Sequence, residues 1–386
     1  MSHPLTCDVV VVGAGMAGAA CALYAARSGL DVVVVDRGPV AGGTTGAGEG
    51  NLLVSDKEPG PELDLALLSN RLWSELAGEF GEFGEFIEYE AKGGVVVATS
   101  PGGLTALERL AGEQRAAGVV AEPVDGDALY GLEPHLAPGL PGAVHYPQDA
   151  QVMPALAAAH LVRASGARLL TGRTVTGVLR TRDGAVLGVR TDHGDIHAPA
   201  LVNAAGTWGG EVAALAGVIL PVLPRRGFVL VTEPLPRLVH HKVYAADYVA
   251  DVASDSAALQ TSPVVEGTAA GPILIGASRE RVGFDRSFSL PALRALAADA
   301  TRLFPFLADV HAIRSYLGFR PYMPDHLPAV GPDPRVPGLF HACGHEGAGI
   351  GLSTGTGHLI AQVLTARTPD LDLTPFRPDR FAEEAA

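Results

Sequence analysis

Three glycines, Gly13, Gly15 and Gly18, stand between an apolar run and an alanine-rich run, and an acid, Asp36, closes the next apolar run. That spacing suits the grip of a dinucleotide. Gly13 permits a tight turn, Gly15 lets the backbone approach a pyrophosphate, and Gly18 lets a helix press on a sheet. With Ala14, Met16 and Ala17 between and beside the glycines, the helix N-terminus offers N–H groups and positive dipole to phosphate. Asp36 would accept hydrogen bonds from a ribose diol. Arg37 suits either a 2′-phosphate or packing near an adenine. The fingerprint alone does not separate NAD from FAD.

Two other patterns invite chemistry. Gly351-Leu-Ser353-Thr-Gly355 has the spacing of a hydrolase nucleophile. Ser353, however, falls within an expected helix, and no ordered acid–histidine pair follows it. His341, Cys343 and His345 alternate as ligands on one strand face would. Gly344 breaks that strand with a glycine-rich turn, so no metal site is expected.

The elements that must position these residues follow from the apolar pattern. Cys7–Val12 and Asp31–Asp36 are continuous β-branched runs, which suit parallel strands buried on both faces. The run Ala19–Ser28 between them reads as a helix, ended by Gly29. Together they form a β-α-β unit of about 30 residues. Helices are predicted over Leu63–Leu76, Leu104–Ala117, Met153–Ser165 and Leu290–Phe304, with another ending near Thr365. Strands are predicted at Gly93–Ala98, Arg168–Leu170, Val175–Arg180, Val186–Arg190, Ile196–Ala198, Leu201–Gly206 and Leu339–Cys343. Residues 216 to 318 read as mainly antiparallel. Gly42–Gly50 holds five glycines in nine residues. Such a stretch packs no core but lets backbone lie against something else. Glycine-rich turns recur at 204–206 and 344–351. Three such segments from distant parts of the chain would wrap one long ligand, and FAD is long enough to need that.

Composition bounds the rest. The chain has 386 residues, 47% hydrophobic and 18% charged, with 42 acidic against 28 basic residues and a formal charge of −14. That is globular composition with room for two domains. The acidic balance disfavours a nucleic-acid partner. Three scattered cysteines give no disulfide framework, and no basic n-region precedes Val9–Val12, so a cytoplasmic location is expected. No uncharged apolar stretch reaches the roughly 18 residues of a membrane span. Lysine occurs at 57, 92 and 242 alone, which reads as composition bias.

Nearly the whole chain resembles the D-amino-acid oxidase-type family of flavoproteins, which includes glycine oxidase, the sarcosine oxidases, and D-amino-acid and D-hydroxyproline dehydrogenases. Three places carry the resemblance. The first is Val9–Asp36 with Thr44-Thr45-Gly46-Ala47-Gly48. The second is Val202-Asn-Ala-Ala-Gly-Thr-Trp208. The third is Gly318-Phe-Arg-Pro-Tyr-Met-Pro-Asp-His-Leu-Pro-Ala-Val-Gly331 followed by Gly344-His-Glu-Gly-Ala-Gly-Ile-Gly351. Thr44–Asn51 and Pro324–Pro328 look closest to the amino- and imino-acid dehydrogenases.

The resemblance implies an α/β fold. A Rossmann-type FAD-binding domain (1–85, 148–215 and 320–386) would be interleaved with an α+β substrate domain on a mainly antiparallel sheet (86–147 and 216–319). It implies FAD, held without a covalent bond, although His345 and Cys343 are candidates for one. Thr44, Thr45, Gly46, Ala47, Gly50 and Asn51 would follow the ribityl–phosphate chain, with Ala204, Ala205, Gly206 and Trp208 close by. Val175 would sit by the adenine. Gly344, His345, Glu346, Gly347, Gly349 and Ile350 would lie near the flavin ring. The implied reaction oxidises the C–N bond of an amino or imino acid by hydride transfer to flavin N5, with dioxygen or another electron acceptor next. Arg320 would bind the substrate carboxylate bidentately, and Tyr244, Tyr248 or His241 would line the pocket. No catalytic acid or base is implied. Gly347 departs from glycine oxidase, which has a second arginine there, and that counts against glycine as substrate. Alternatives are the flavin subunit of a heteromeric dehydrogenase, a tailoring amine oxidase and a non-catalytic flavin-binding protein. Homo- and hetero-oligomers both remain open.

Overall fold

The computed structural model describes residues 5–79, 86–246 and 256–385. Val9–Val12 and Val32–Val35 are strands of four valines, buried at every position. Both pair in parallel, joined by the helix Met16–Arg27. They lie in a six-stranded sheet in the order 329–332, 339–343, 200–203, 9–12, 32–35, 168–170. Only Ala329–Pro332 runs antiparallel to its neighbour. Buried valines on both faces need cover on both faces. On one face Met16–Arg27 packs beside the helices Pro154–Ser165 and Ser353–Leu364. The approach of Ser353–Leu364 is close: a Cβ on Gly357 would lie 2.5 Å from the Ala20 carbonyl carbon.

An eight-stranded sheet has the order 312–322, 223–232, 273–279, 260–267, 242–245, 94–98, 142–146, 122–124. It is antiparallel except where Lys242–Ala245 meets Gly94–Ala98. The helix Leu290–Leu303 buries Leu293, Leu296 and Leu303 against Phe228, Leu230, Val265 and Ile275 on one face of this sheet. The chain crosses between the two large sheets after residues 35, 146, 203 and 322. A smaller four-stranded sheet, 5–6, 194–197, 186–191, 175–180, carries Val175. The fold is thus α/β, a mostly parallel sheet with crossover helices beside a mainly antiparallel one.

Most predicted elements stand within a few residues of their expected places. Val9–Val12, Arg168–Leu170, Val175–Arg180 and Leu339–Cys343 form strands. The strands Glu122–Val124 and Gly142–Tyr146 were not predicted. Glu122–Val124 contains Pro123, which cannot donate to a ladder and masks a strand pattern. It sits at the sheet's edge, where proline is tolerated. Among the described residues no helix is long and apolar enough to cross a membrane.

Candidate active site

A cavity of about 310 Å³ is lined from both large sheets. From the six-stranded side come Gly13, Gly15, Met16, Ala17, Asp36, Arg37, Ala204, Ala205 and Gly206. Gly13 has φ +114°, and a Cβ there would lie 2.3 Å from the Ala204 oxygen. A Cβ on Gly18 would lie 1.9 Å from the Gly13 oxygen. The turn therefore accepts no side chain at either position. The N-cap of Met16–Arg27 is Gly15, which has no side chain to cap it; Thr45 Oγ1 accepts from Met16 N–H at 2.9 Å. Asp36 is aimed by two backbone donors, Ala14 N–H and Gly38 N–H, both at 2.7 Å. The Arg37 guanidinium lies 4.4 Å above the Trp208 ring, which itself stacks on Phe284.

From the eight-stranded side come Gly227, Val229, Gly318, Phe319 and Arg320. The longest pairing in that sheet sets Gly227 opposite Gly318 and Arg225 opposite Arg320. Two arginines facing across strands repel, and a buried carboxylate on one and a backbone carbonyl on the other offset this. Arg225 meets Glu346 Oε2 at 3.3 Å. Arg320 donates through Nη1 to the Ser278 carbonyl at 2.8 Å. The glycine-rich segment contributes Thr44, Thr45, Ala47, Glu49 and Asn51, and the last turn contributes His345, Glu346, Gly347, Gly349 and Ile350. Trp73 Nε1 pins that turn by donating to the carbonyls of Ile350 and Gly351, at 3.3 and 3.2 Å. His345 is 4% exposed; burial lowers its pKa to about 4, so the ring is neutral, and Nε2 shares a 2.9 Å hydrogen bond with Thr356 Oγ1.

A family model described as FAD dependent oxidoreductase matches residues 8–363. The chain belongs to this family of FAD-dependent oxidoreductases. It is 33% identical to the hydrogen cyanide synthase subunit HcnC of Pseudomonas aeruginosa, over 99% of this chain and 98% of that one. It is 32% identical to the glycine oxidase of Geobacillus kaustophilus, over 96% of each. The crystal structure of the latter superposes with a TM-score of 0.87 at 28% identity, covering 97% of this chain and 99% of that one.

The cavity of this FAD-dependent oxidoreductase fits its cofactor. A helix N-terminus with glycine at its N-cap, and glycines that admit no Cβ, suit a pyrophosphate, and the aimed Asp36 carboxylate suits a ribose diol. Asn51 Oδ1 is buried in the wall without a hydrogen-bond partner, and a buried acceptor left so calls for a donor. Val175 also lines the cavity, as do Arg173 and Thr174.

Several predicted site residues lie elsewhere. Ala14, Gly18, Gly46, Gly50 and Gly344 stand behind the lining and shape it. Tyr244 does not line the cavity. It is fully buried, donates to Ser55 Oγ at 2.6 Å, and has its pKa raised by burial. His241 does not line it either: Glu133 Oε1 holds its Nδ1 at 2.9 Å. Tyr244 follows from Lys242–Ala245 being an inner strand buried at every position; His241 stands just before that strand, half-buried against Glu133. Tyr248 lies outside the described residues. Cys343 also misses the cavity; its Sγ would lie 2.7 Å from a Cβ on Gly209, and burial raises its pKa to about 12. Ser353 Oγ is buried and donates back to the Ile350 carbonyl at 2.8 Å, so it meets no acid–histidine pair. His341 is buried between Asn203 and Asp333. No group of three or more metal-ligating side chains exists among the described residues.

Glu49 went unread. It lines the cavity, is 7% exposed, and its carboxylate is 3.5 Å from Lys242 Nζ. Its signal was its place, a lone charge in a glycine-rich run. The lysine scarcity also carries structure, since all three lysine side chains are at most 5% exposed.

Proposed function

We propose that this FAD-dependent oxidoreductase oxidises the C–N bond of an amino or imino acid whose carboxylate is held by Arg320. Arg320 is the observation that carries the reading. Its guanidinium lines the cavity from the eight-stranded sheet, while the fingerprint glycines and Asp36 line it from the other sheet. A planar fork there suits a carboxylate and fixes the neighbouring carbon. Bound FAD supplies the two-electron acceptor, and the chain's own residues bind, orient and exclude water. Gly347 puts no side chain beside Arg320; a Cβ there would already touch it, 3.6 Å from Arg320 Nε. The space this leaves suits a substrate bearing a side chain more than it suits glycine. The similarity to HcnC, a protein named as a subunit, supports a second reading in which electrons leave to a partner protein.

Anaerobic bleaching of the flavin near 450 nm tests the reading. The panel is glycine, sarcosine, D-amino acids, both prolines, hydroxyprolines and opines. Bleaching by one class is expected, and recovery in air then separates an oxidase from a dehydrogenase that needs a partner. No bleaching by any of them overturns the proposal.

A further inference from the structure

Two carboxylates line the part of the cavity around Arg320. Glu346 Oε2 is held by Arg225 at 3.3 Å, and its Oε1 lies 2.9 Å from His326 Nδ1 without hydrogen-bond geometry. Glu49 is placed differently. Its Oε1 faces Lys242, whose ammonium also makes a short contact with Glu266. Its Oε2 lies over bare backbone, where a Cβ on Gly276 would come within 2.6 Å. The Arg320 guanidinium sits likewise over Gly227, where a Cβ would come within 2.1 Å of Nη1. Strands 223–232 and 273–279 are neighbours. Two glycines on adjacent strands thus make room for one cationic and one anionic head beside each other.

The charges bear on what the site accepts. Lys242 and Arg320 bring two positive charges, Glu49 and Glu266 two negative ones, all against one buried wall. Lys242 is shared by two carboxylates, Glu49 and Glu266, so a carboxylate drawn onto Arg320 takes up the other cation that acts on Glu49. Uncompensated buried charge is costly. A substrate that carries its own ammonium restores the balance.

We propose that Glu49 binds the substrate's ammonium group and accepts its proton, so that Glu49 and Arg320 together clamp an amino-acid zwitterion. This rests on the reading of the cavity as an amino-acid site. In the step, an N–H bond of the ammonium breaks and an O–H bond forms on Glu49, and the nitrogen regains its lone pair. That pair then forms the C=N bond of an iminium as the Cα hydrogen leaves with its bonding electrons, which FAD accepts. The charged groups that act on Glu49 come from three strands: Lys242, Glu266 and Arg320; the Tyr316 phenol, on the same strand as Arg320, is itself raised by burial and by Glu49. Burial is the largest influence on Glu49 and raises its pKa; Lys242 opposes this. A raised carboxyl suits a general base working near neutrality.

The test uses the FAD-loaded enzyme and two ligands that cannot be oxidised at Cα in this way. 2-Aminoisobutyrate has ammonium and carboxylate but no Cα hydrogen; isobutyrate lacks the amine. Binding is read from the flavin spectrum. Wild type is expected to prefer 2-aminoisobutyrate by tenfold or more, and Glu49→Gln to lose that preference. With the amine that bleaches wild type, Glu49→Gln is expected to reduce its flavin about 100-fold more slowly at neutral pH. Its rate should climb about tenfold per pH unit, following deprotonation of the free amine. An unchanged ligand preference and pH profile in Glu49→Gln overturns the proposal. Calorimetry on wild type, in two buffers of different ionisation enthalpy near pH 8, gives a readout that needs no variant. No net proton release on binding 2-aminoisobutyrate is expected, and release of one full proton per site overturns the proposal. Wild type that neither bleaches nor binds either ligand refutes the amino-acid reading instead.

Discussion

At the scale of single residues, Arg320 is the sharpest prediction. A guanidinium makes two parallel bonds to a carboxylate, and an ammonium cannot reproduce them. Arg320→Lys keeps the charge and loses the fork. A charge-assisted hydrogen bond contributes about 1.5–3 kcal/mol, so kcat/KM for the substrate found by bleaching should fall about 10- to 100-fold, mostly through KM. The flavin spectrum and FAD content should be unchanged. Equal kinetics would remove Arg320 from substrate contact. Arg320 was legible because it stands in a run of family motif, Gly318 to Pro328, and so was the glycine fingerprint, which fits within about 30 residues of chain. Glu49 was not, because its partner Lys242 is 193 residues away. Only the sheet brings Lys242, Glu266 and Arg320 to it, and no spacing in the sequence encodes that register. Tyr244 misled for the complementary reason. An aromatic in an expected substrate domain faces a pocket or a core according to strand parity, and Val243, Tyr244 and Ala245 are all buried on an inner strand.

At the scale of elements, the meeting of Met16–Arg27 with the strand ends decides cofactor binding. Gly18 lets the helix settle on the Gly13 carbonyl. In Gly18→Ala the helix must tilt or slide, at a cost of about 1–3 kcal/mol. The expected result is a lower melting temperature without added FAD and a weaker FAD affinity by titration. Unchanged affinity would show that the helix N-terminus is not the phosphate contact. Gly112 is the counter-case. It lies inside the helix Pro101–Ala116, where an added Cβ meets only the end of the Arg115 side chain, at 3.7 Å. Gly112→Ala should raise stability by about 0.5–1 kcal/mol in urea unfolding and leave FAD affinity alone. Elements of this kind were readable because their periodicity is local. The edge strand Glu122–Val124 was not, since its strand state depends on the neighbour Gly142–Tyr146 and not on its own three residues.

At the scale of the whole molecule, one buried network ties the eight-stranded sheet to the segment leading from the cavity wall. Asp149 is fully buried and accepts from Val54 N–H at 2.8 Å, Ser55 N–H at 3.3 Å and the Ser55 hydroxyl. Ser55 Oγ accepts from Tyr244, and Gln114 joins the Ser55 and Lys57 carbonyls to the Tyr146 hydroxyl. Burial raises the Asp149 pKa to about 7, against the pull of its donors. The folded chain therefore holds this proton more tightly than the unfolded chain, whose aspartates titrate near 3.9. The resulting stability is complete below about pH 4 and is lost as pH rises through 7. Two other buried groups work the opposite way. The Asp333 carboxyl is held low by hydrogen bonds from Arg335 and His341 despite its burial, and favours folding above about pH 4. His345, lowered by burial, favours folding as pH rises from about 4 to 6.5. A plain pH profile would mix these signs, so the comparison is between wild type and Asp149→Asn, which share the other two groups. Asparagine keeps an acceptor for Val54 N–H and carries no charge at any pH. Urea unfolding with excess FAD should show the variant gaining on wild type by roughly 2–3 kcal/mol between pH 5 and pH 8. A constant difference across that range would mean that Asp149 stays ionised in the fold, with Ser55 and the two backbone donors outweighing its burial.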